Sequence, residues 1–187
     1  MNTLISLDWS ILNSIQTHCR AAFLDVIMPI ITKLGGVWSI WILLTIILLI
    51  TRKYRKVGLT LLFALTMEVL VCNVLLKPLI ARVRPCDINT AVQLLVARPS
   101  DFSFPSGHSA SSFAAASVLL FEKHPLRIPA FVLAAAIAFS RLYLYVHFPS
   151  DVLAGVLLGI MLGYLAHLIV TACDKAYNAH IKSKAVS

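Results

Sequence analysis

From Val57 to Leu76 the chain runs twenty residues with a single charge, Glu68. At about 1.5 Å of rise per residue, that length lets an α-helix cross the ~30 Å hydrocarbon core of a bilayer. Backbone N–H and C=O groups in lipid must be satisfied within the protein, which favours helices for such segments. The rest of the chain repeats the signal. Hydrophobic residues make up 59% of the 187 and charged residues 13%, with a mean hydropathy of +0.88, far from the balance of a soluble domain. The expected fold is all-α: one domain spanning residues 1–187, an integral membrane bundle of about six transmembrane helices behind an N-terminal amphipathic interfacial helix.

The other segments follow in order. Leu4 to His18 sets Leu4, Ile5, Leu7, Ile11, Leu12 and Ile15 at helical spacing, with Trp9 among them, as in a helix lying along a membrane surface. Ala21 to Ile31, a short apolar run interrupted by Asp25 and Pro29, is expected to be a first span. After the Gly35-Gly36 turn, Val37 to Thr51 forms a clear span with Trp38 and Trp41 near an interface. Beyond Leu76, Ala81 to Pro105 is a long polar stretch whose apolar piece, Ala91 to Ala97, suits a lid or half-inserted helix. Further apolar segments run over Gly107 to Phe121, Ile128 to Val146 and Asp151 to Ala172.

Met1 to Arg20 lacks the layout of a cleavable signal peptide. The net charge of +8 does not point to nucleic acid, because most basic residues lie in short loops between apolar runs. Lys and Arg in the 52–56 loop, the 122–127 loop and the tail fall on one side, which predicts that side, with both termini, to be cytoplasmic. Cys19, Cys72, Cys86 and Cys173 form no disulfide framework and lack metal-ligand spacing. Lys77, Arg82, Arg84 and Arg98 fall on the outer side against the usual bias, as residues kept there for chemistry.

Three stretches at outer ends of spans are expected to meet. Lys77 and Arg84-Pro85 form Lys-x6-Arg-Pro. Pro105 to His108 reads Pro-Ser-Gly-His and opens a helix, whose N-terminal amides and dipole suit a phosphate. Ser140-Arg141, His147 and Asp151 form Ser-Arg-x5-His-x3-Asp. With these three motifs intact and in order, the chain resembles the type 2 phosphatidic acid phosphatase superfamily, which includes membrane lipid phosphatases and vanadium haloperoxidases. The matched core runs from Lys77 to Asp151.

That resemblance implies a lipid phosphatase facing the outside of a plasma membrane, with lipid phosphates as substrate and membrane lipids as surroundings. Lys77, Arg84 and Arg141 would neutralise the charge that spreads over phosphoryl oxygens during transfer, the arginines through paired N–H groups. Ser106 would add a hydroxyl and an amide, and Gly107 a close backbone approach. His147 would attack phosphorus, Asp151 at i+4 would hold the proton on its other nitrogen, and His108 would protonate the leaving oxygen and then activate water. The resemblance also implies that no metal or cofactor is needed. Undecaprenyl diphosphate is the favoured substrate, with phosphatidylglycerophosphate and phosphatidate close behind; Lys77 and Gly107 keep the phospholipids in play. A transporter or flippase using the cations as an anion site is the alternative, which leaves the His147–Asp151 pair unexplained.

Other polar residues receive plainer assignments. His167 is expected to be packed or hydrogen-bonded, and His18, His124 and His180 solvated. Arg82 is taken as a solvated loop charge. Glu68 and Lys77, nine residues apart, fall on opposite faces at ~100° per residue, which leaves Glu68 to interhelical hydrogen bonding. Asn73 lies at i+4 from Lys77. The Gly155, Gly159 and Gly163 stripe, a familiar dimerisation pattern, is assigned to packing within one protomer because Asp151 shares its face.

Overall fold

A computed structural model describes residues 3–36 and 40–184; Trp38, expected at an interface, lies outside them. The described residues fold into helices: α1 Thr3–His18, α2 Ala22–Leu34, α3 Ile40–Ile50, α4 Arg55–Glu68, α5 Lys77–Ile80, α6 Pro85–Ile88, α7 Gly107–Phe121, α8 Arg127–Tyr143 and α9 Pro149–Lys184. Two stretches, Arg52–Ile88 and Pro149–Ile181, are long and apolar enough to cross a membrane, each with an 18-residue core of mean hydropathy 2.2. Their outward faces carry Leu59, Leu62, Leu70, Leu75, Leu157 and Met161 exposed, a surface suited to lipid rather than water. α2 runs through Pro29, and Asp25 accepts a hydrogen bond from the Tyr143 hydroxyl at 2.6 Å, so neither residue interrupts the helix. Ala91 to Ala97 forms turns and bends instead of a half-inserted helix; Val92, Leu94, Leu95 and Val96 pack against the buried cluster that joins Leu12, Met28 and Cys86 to the Tyr143–Phe148 segment.

α7 is the central element. Its Ala110, Ala114, Ala115 and Ala116 are wholly buried, and such small side chains let neighbouring backbones close in. The glycine stripe of α9 supplies the other half of this seam. A Cβ on Gly155 would lie 2.5 Å from the Ser106 carbonyl oxygen, one on Gly159 2.3 Å from that of Ala110, and one on Gly163 2.8 Å from that of Ala114. Each glycine thus meets a carbonyl one α7 turn further along, which accounts for the stripe within a single chain.

Between α4 and α5 the helix changes its winding. Val69–Leu76 is π-helical, and the Lys77 N–H donates to the Cys72 carbonyl five residues back. Such a stretch turns roughly 80° per residue instead of ~100°. Nine residues then bring Glu68 and Lys77 towards the same face, and both line one cavity. The opposite-face expectation fails for this reason. Glu68 Oε1 is buried without a hydrogen-bond partner, so interhelical bonding does not account for this oxygen.

One end of the bundle gathers the basic loops. Lys56 pairs with Asp174 at 3.6 Å, His167 with Glu122 at 2.8 Å, and Tyr54 packs edge-on against His124 with ring centroids 4.6 Å apart. His124 is therefore buried rather than solvated. His18 and His180 are exposed. The four cysteines are free thiols.

Candidate active site

At the other end, three local devices deliver the motif residues. Ala81 adopts a left-handed backbone (φ 48°) that stops α5. Pro85 then keeps Arg84 extended, since a proline disfavours the helical region for the residue before it. Ser106, also extended, leads into α7 and places Gly107 and His108 in its first turn. Between α8 and α9 the chain reverses through Tyr145, at φ 62°. Strained backbone of this kind persists where the surroundings over-determine it, and Tyr145 is buried.

His147 sits at the centre, 1% exposed. Its Nε2 lies 3.0 Å from Arg84 Nη1. Its Nδ1 is 3.5 Å from Ser103 Oγ and 3.7 Å from Asp151 Oδ2. Asp151 is thus beside the ring but beyond direct hydrogen-bond range, and Ser103 bridges the gap by donating to Asp151 Oδ2 at 2.5 Å. The Phe148 N–H donates to the same oxygen at 2.8 Å. Burial and the facing cations Arg84, Arg141 and Lys77 push His147 well below the usual histidine value of 6.5, keeping the ring neutral with a lone pair to use.

A cavity of ≈ 720 Å³ opens in front of the ring, lined by Lys77, Arg84, Gly107, His108, Arg141 and His147. Trp41, Ile42, Leu65 and Val69 form an apolar wall, and Lys33 and Arg98 add two further cations. Arg84 is 2% exposed and held by the carbonyls of Asp101 (2.8 Å) and Val146 (2.6 Å). Arg141 Nη1 donates to Thr32 Oγ1 at 2.6 Å, while its Nε is buried without a partner. A Cβ on Gly107 would stand 3.1 Å from Asn73 Oδ1 and 3.7 Å from Lys77 Nζ, which explains a glycine there and sets Asn73 beside the lysine.

Ser106 departs from its expected role. Its N–H donates to the Asp151 carbonyl at 3.0 Å, its hydroxyl pairs with Ser109 at 2.9 Å, and it is wholly buried. It ties α7 to the start of α9 behind the cavity. Arg82 departs too: Nη1 donates to Asp151 Oδ1 at 2.5 Å and Nη2 to Asp8 Oδ2 at 2.6 Å, so it is no solvated loop charge.

Asp101 was not singled out by the motifs, yet its carboxylate pairs with Lys77 Nζ and with Arg84 Nη2, the latter at 2.7 Å. Burial alone would raise its pKa, but the hydrogen bond and charge of Lys77, with Arg84 behind them, lower it from 3.8 to about 2. The one available signal was an acid placed just before Phe102, between two cationic motifs. Ser103 had none, since an isolated serine in a loop carries no spacing.

Comparison with known proteins gives the family. A family profile described as the PAP2 superfamily matches residues 57–175. The undecaprenyl-diphosphatase of Sulfolobus acidocaldarius is 34% identical over 148 residues, covering 79% of this chain and 71% of that protein. The crystal structure of a transmembrane PAP2-type phosphatidylglycerolphosphate phosphatase from Bacillus subtilis superposes with a TM-score of 0.74 at 34% identity, over 94% of this chain and 88% of that one. The crystal structure of Aquifex aeolicus LpxE gives 0.70 at 30% identity, over 89% and 95%.

Proposed function

The chain belongs to the PAP2 superfamily of phosphatases acting on lipid phosphates, and from that premise we propose that it hydrolyses a lipid diphosphate through a phosphohistidine at His147. The observation carrying the reading is the neutral, buried ring of His147, whose Nε2 meets Arg84 while Nδ1 faces Ser103 and Asp151. Lys77, Arg84 and Arg141 take the charge of the phosphoryl oxygens, with Gly107 allowing close approach. Nε2 attacks the terminal phosphorus as its bond to the bridging oxygen breaks, and His108 gives that oxygen, which leaves on the lipid monophosphate, its proton. His108 then accepts a proton from water, whose oxygen attacks phosphorus and breaks the P–N bond to release inorganic phosphate. Asp151 balances the Nδ1 proton through both steps. Ser106 serves by bracing α7 against α9.

Substrate choice follows from charge. Lys33 and Arg98 add cations to a cavity already holding three, and a diphosphate carries more negative charge than a monoester. Undecaprenyl diphosphate is therefore favoured over phosphatidylglycerophosphate and phosphatidate, with the tail along the Trp41, Ile42, Leu65 and Val69 wall. The reading is of a single unit over residues 1–187, crossing a plasma membrane with α3, α4–α5, α7, α8 and α9; α2, expected as a first span, begins at the Tyr143 hydroxyl and ends beside His108, so both its ends lie at the cavity end. The C-terminus is cytoplasmic and the cavity faces outside, in accord with basic loops gathered at the opposite end; the N-terminal helix, expected on the cytoplasmic side, lies at the cavity end, where Asp8 meets Arg82 and Ser150.

The test is phosphate release by detergent-solubilised protein from each of the three lipids, with His147→Ala as control and with and without chelator. Activity that survives chelator, disappears in His147→Ala and leaves an acid-labile phosphoprotein on rapid quench supports the reading. Activity retained by His147→Ala, or abolished by chelator, overturns the mechanism; a preference for the monoesters overturns the substrate assignment.

A further inference from the structure

We infer that Arg82 and Asp8 are positioning residues for the reaction, so that helix α1 is part of the machinery steadying His147. The inference rests on the reading of His147 as the group that takes the phosphoryl. Asp151 is wholly buried, and each of its oxygens is engaged: Oδ2 by Ser103 and the Phe148 N–H, Oδ1 by Arg82 Nη1. A buried carboxylate needs both a countercharge and full hydrogen bonding, and Arg82 supplies the only side-chain cation contact described for it. Arg82 holds one edge of the carboxylate, which fixes its plane and turns Oδ2 towards Ser103 and the ring.

Arg82 is itself held from α1. Asp8, 4% exposed, accepts from Arg82 Nη2 at 2.6 Å, from the Ser150 N–H at 2.9 Å and from the Ser150 hydroxyl at 2.6 Å. The guanidinium also lies 4.3 Å from the centroid of the Phe148 ring, and Trp9 packs edge-on against that ring at 4.9 Å. Gln16 donates to the Tyr143 carbonyl at 2.9 Å. α1 therefore grips both ends of the segment carrying His147, and the chain Asp8–Arg82–Asp151–His147 alternates in role from anchor to ring. None of these contacts touches the cavity cations. The network acts on the attack and hydrolysis steps and leaves substrate binding to the other side of the ring.

The experiment measures kcat and KM of the full-length protein in detergent for farnesyl diphosphate and dioctanoyl phosphatidate, alongside thermal stability. The variants are Arg82→Gln, Arg82→Lys, Asp8→Asn and the Arg82→Gln/Asp8→Asn pair, with His147→Ala as control. The expected result is a kcat loss of roughly 10- to 100-fold in Arg82→Gln with KM within about twofold, partial recovery in Arg82→Lys, and a roughly threefold to tenfold kcat loss in Asp8→Asn. Asp8→Asn should cost nothing further once Arg82 is Gln, because the two act in series. Where Arg82→Gln fails to fold, Asp8→Asn and Ser150→Ala carry the test by the same kcat-against-KM split. Inactive His147→Ala beside Arg82 and Asp8 variants with wild-type kcat would overturn the inference alone, as would losses confined to KM or fully additive in the pair. An active His147→Ala would overturn the site reading beneath it.

Discussion

The two sides of the His147 ring are built on opposite principles. On the Nδ1 side the charges close on themselves: Asp8, Arg82 and Asp151 alternate in sign, and Ser103, Ser150 and the Phe148 amide complete their hydrogen bonds. On the Nε2 side positive charge is in excess, with Arg84, Lys77 and Arg141 around a cavity where Asp101 pairs with the first two and Glu68 adds a second carboxyl. The first side fixes an orientation and the second awaits an anion. A saturated network resists change of any kind, whereas an unbalanced one responds to whatever anion arrives.

The largest effect should come from a change that disturbs both sides at once. Gly159→Leu forces a side chain into the Ala110 carbonyl, 2.3 Å from where its Cβ would stand, and separates α9, which carries Asp151, from α7, which carries His108. A loss of about 3 kcal/mol in stability together with most of the activity is expected, read by thermal unfolding in detergent and phosphate release. Normal activity with a lost dimer would instead put the stripe between protomers. Next is Arg84→Lys on the cationic side. A lysine keeps the charge but loses the fork that reaches Asp101, Val146 and His147 together, and kcat/KM should fall about 100-fold.

Ser103→Ala strikes the closed side alone. It removes the donor between Asp151 and the ring, and a kcat loss of roughly 10-fold with KM unchanged is expected. If Ser103→Ala costs as much as Arg84→Lys, the contrast between the two sides is wrong. Asp101→Asn should act in the other direction, freeing Lys77 and Arg84 from an internal anion, so that inorganic phosphate inhibits about threefold to tenfold more tightly. The smallest effect concerns pH. Below 6.5 the unfolded chain takes up a proton at position 147 that the folded chain refuses. Stability is therefore full above that value and declines as pH falls, by at most ~1.4 kcal/mol per unit. His147→Gln should flatten this decline in thermal unfolding measured from pH 7 to pH 5.

The cations and histidines facing the cavity were legible because their chemistry comes with fixed spacing. Lys77, Arg84, Arg141 and His147 sit at helix ends that hydropathy alone brings to one layer. Small residues told their story too: glycines every four residues on α9 could only mean a close seam, and the Asp151 on their face placed that seam inside the chain. Arg82, Asp8, Ser103 and Asp101 were out of reach for a shared reason. Each acts through a partner remote in sequence, Arg82 through residues 74 positions before it and 69 after it, and neither periodicity nor motif reports on such pairings. Ser106 failed differently. Its residue type suits phosphate, but the tightness of the Gly155 contact turns its backbone towards α9, a packing outcome invisible to residue type.

The loosened winding of Val69–Leu76 makes chain length itself a catalytic variable. Taken up at the ordinary pitch, those eight residues would swing Lys77 by roughly 160° about the helix axis and turn its ammonium away from the cavity. A one-residue deletion there that restored the ordinary pitch would return Lys77 to within roughly 60° of its present direction, whereas rewinding all eight residues would unship the lysine from Asn73 and Gly107.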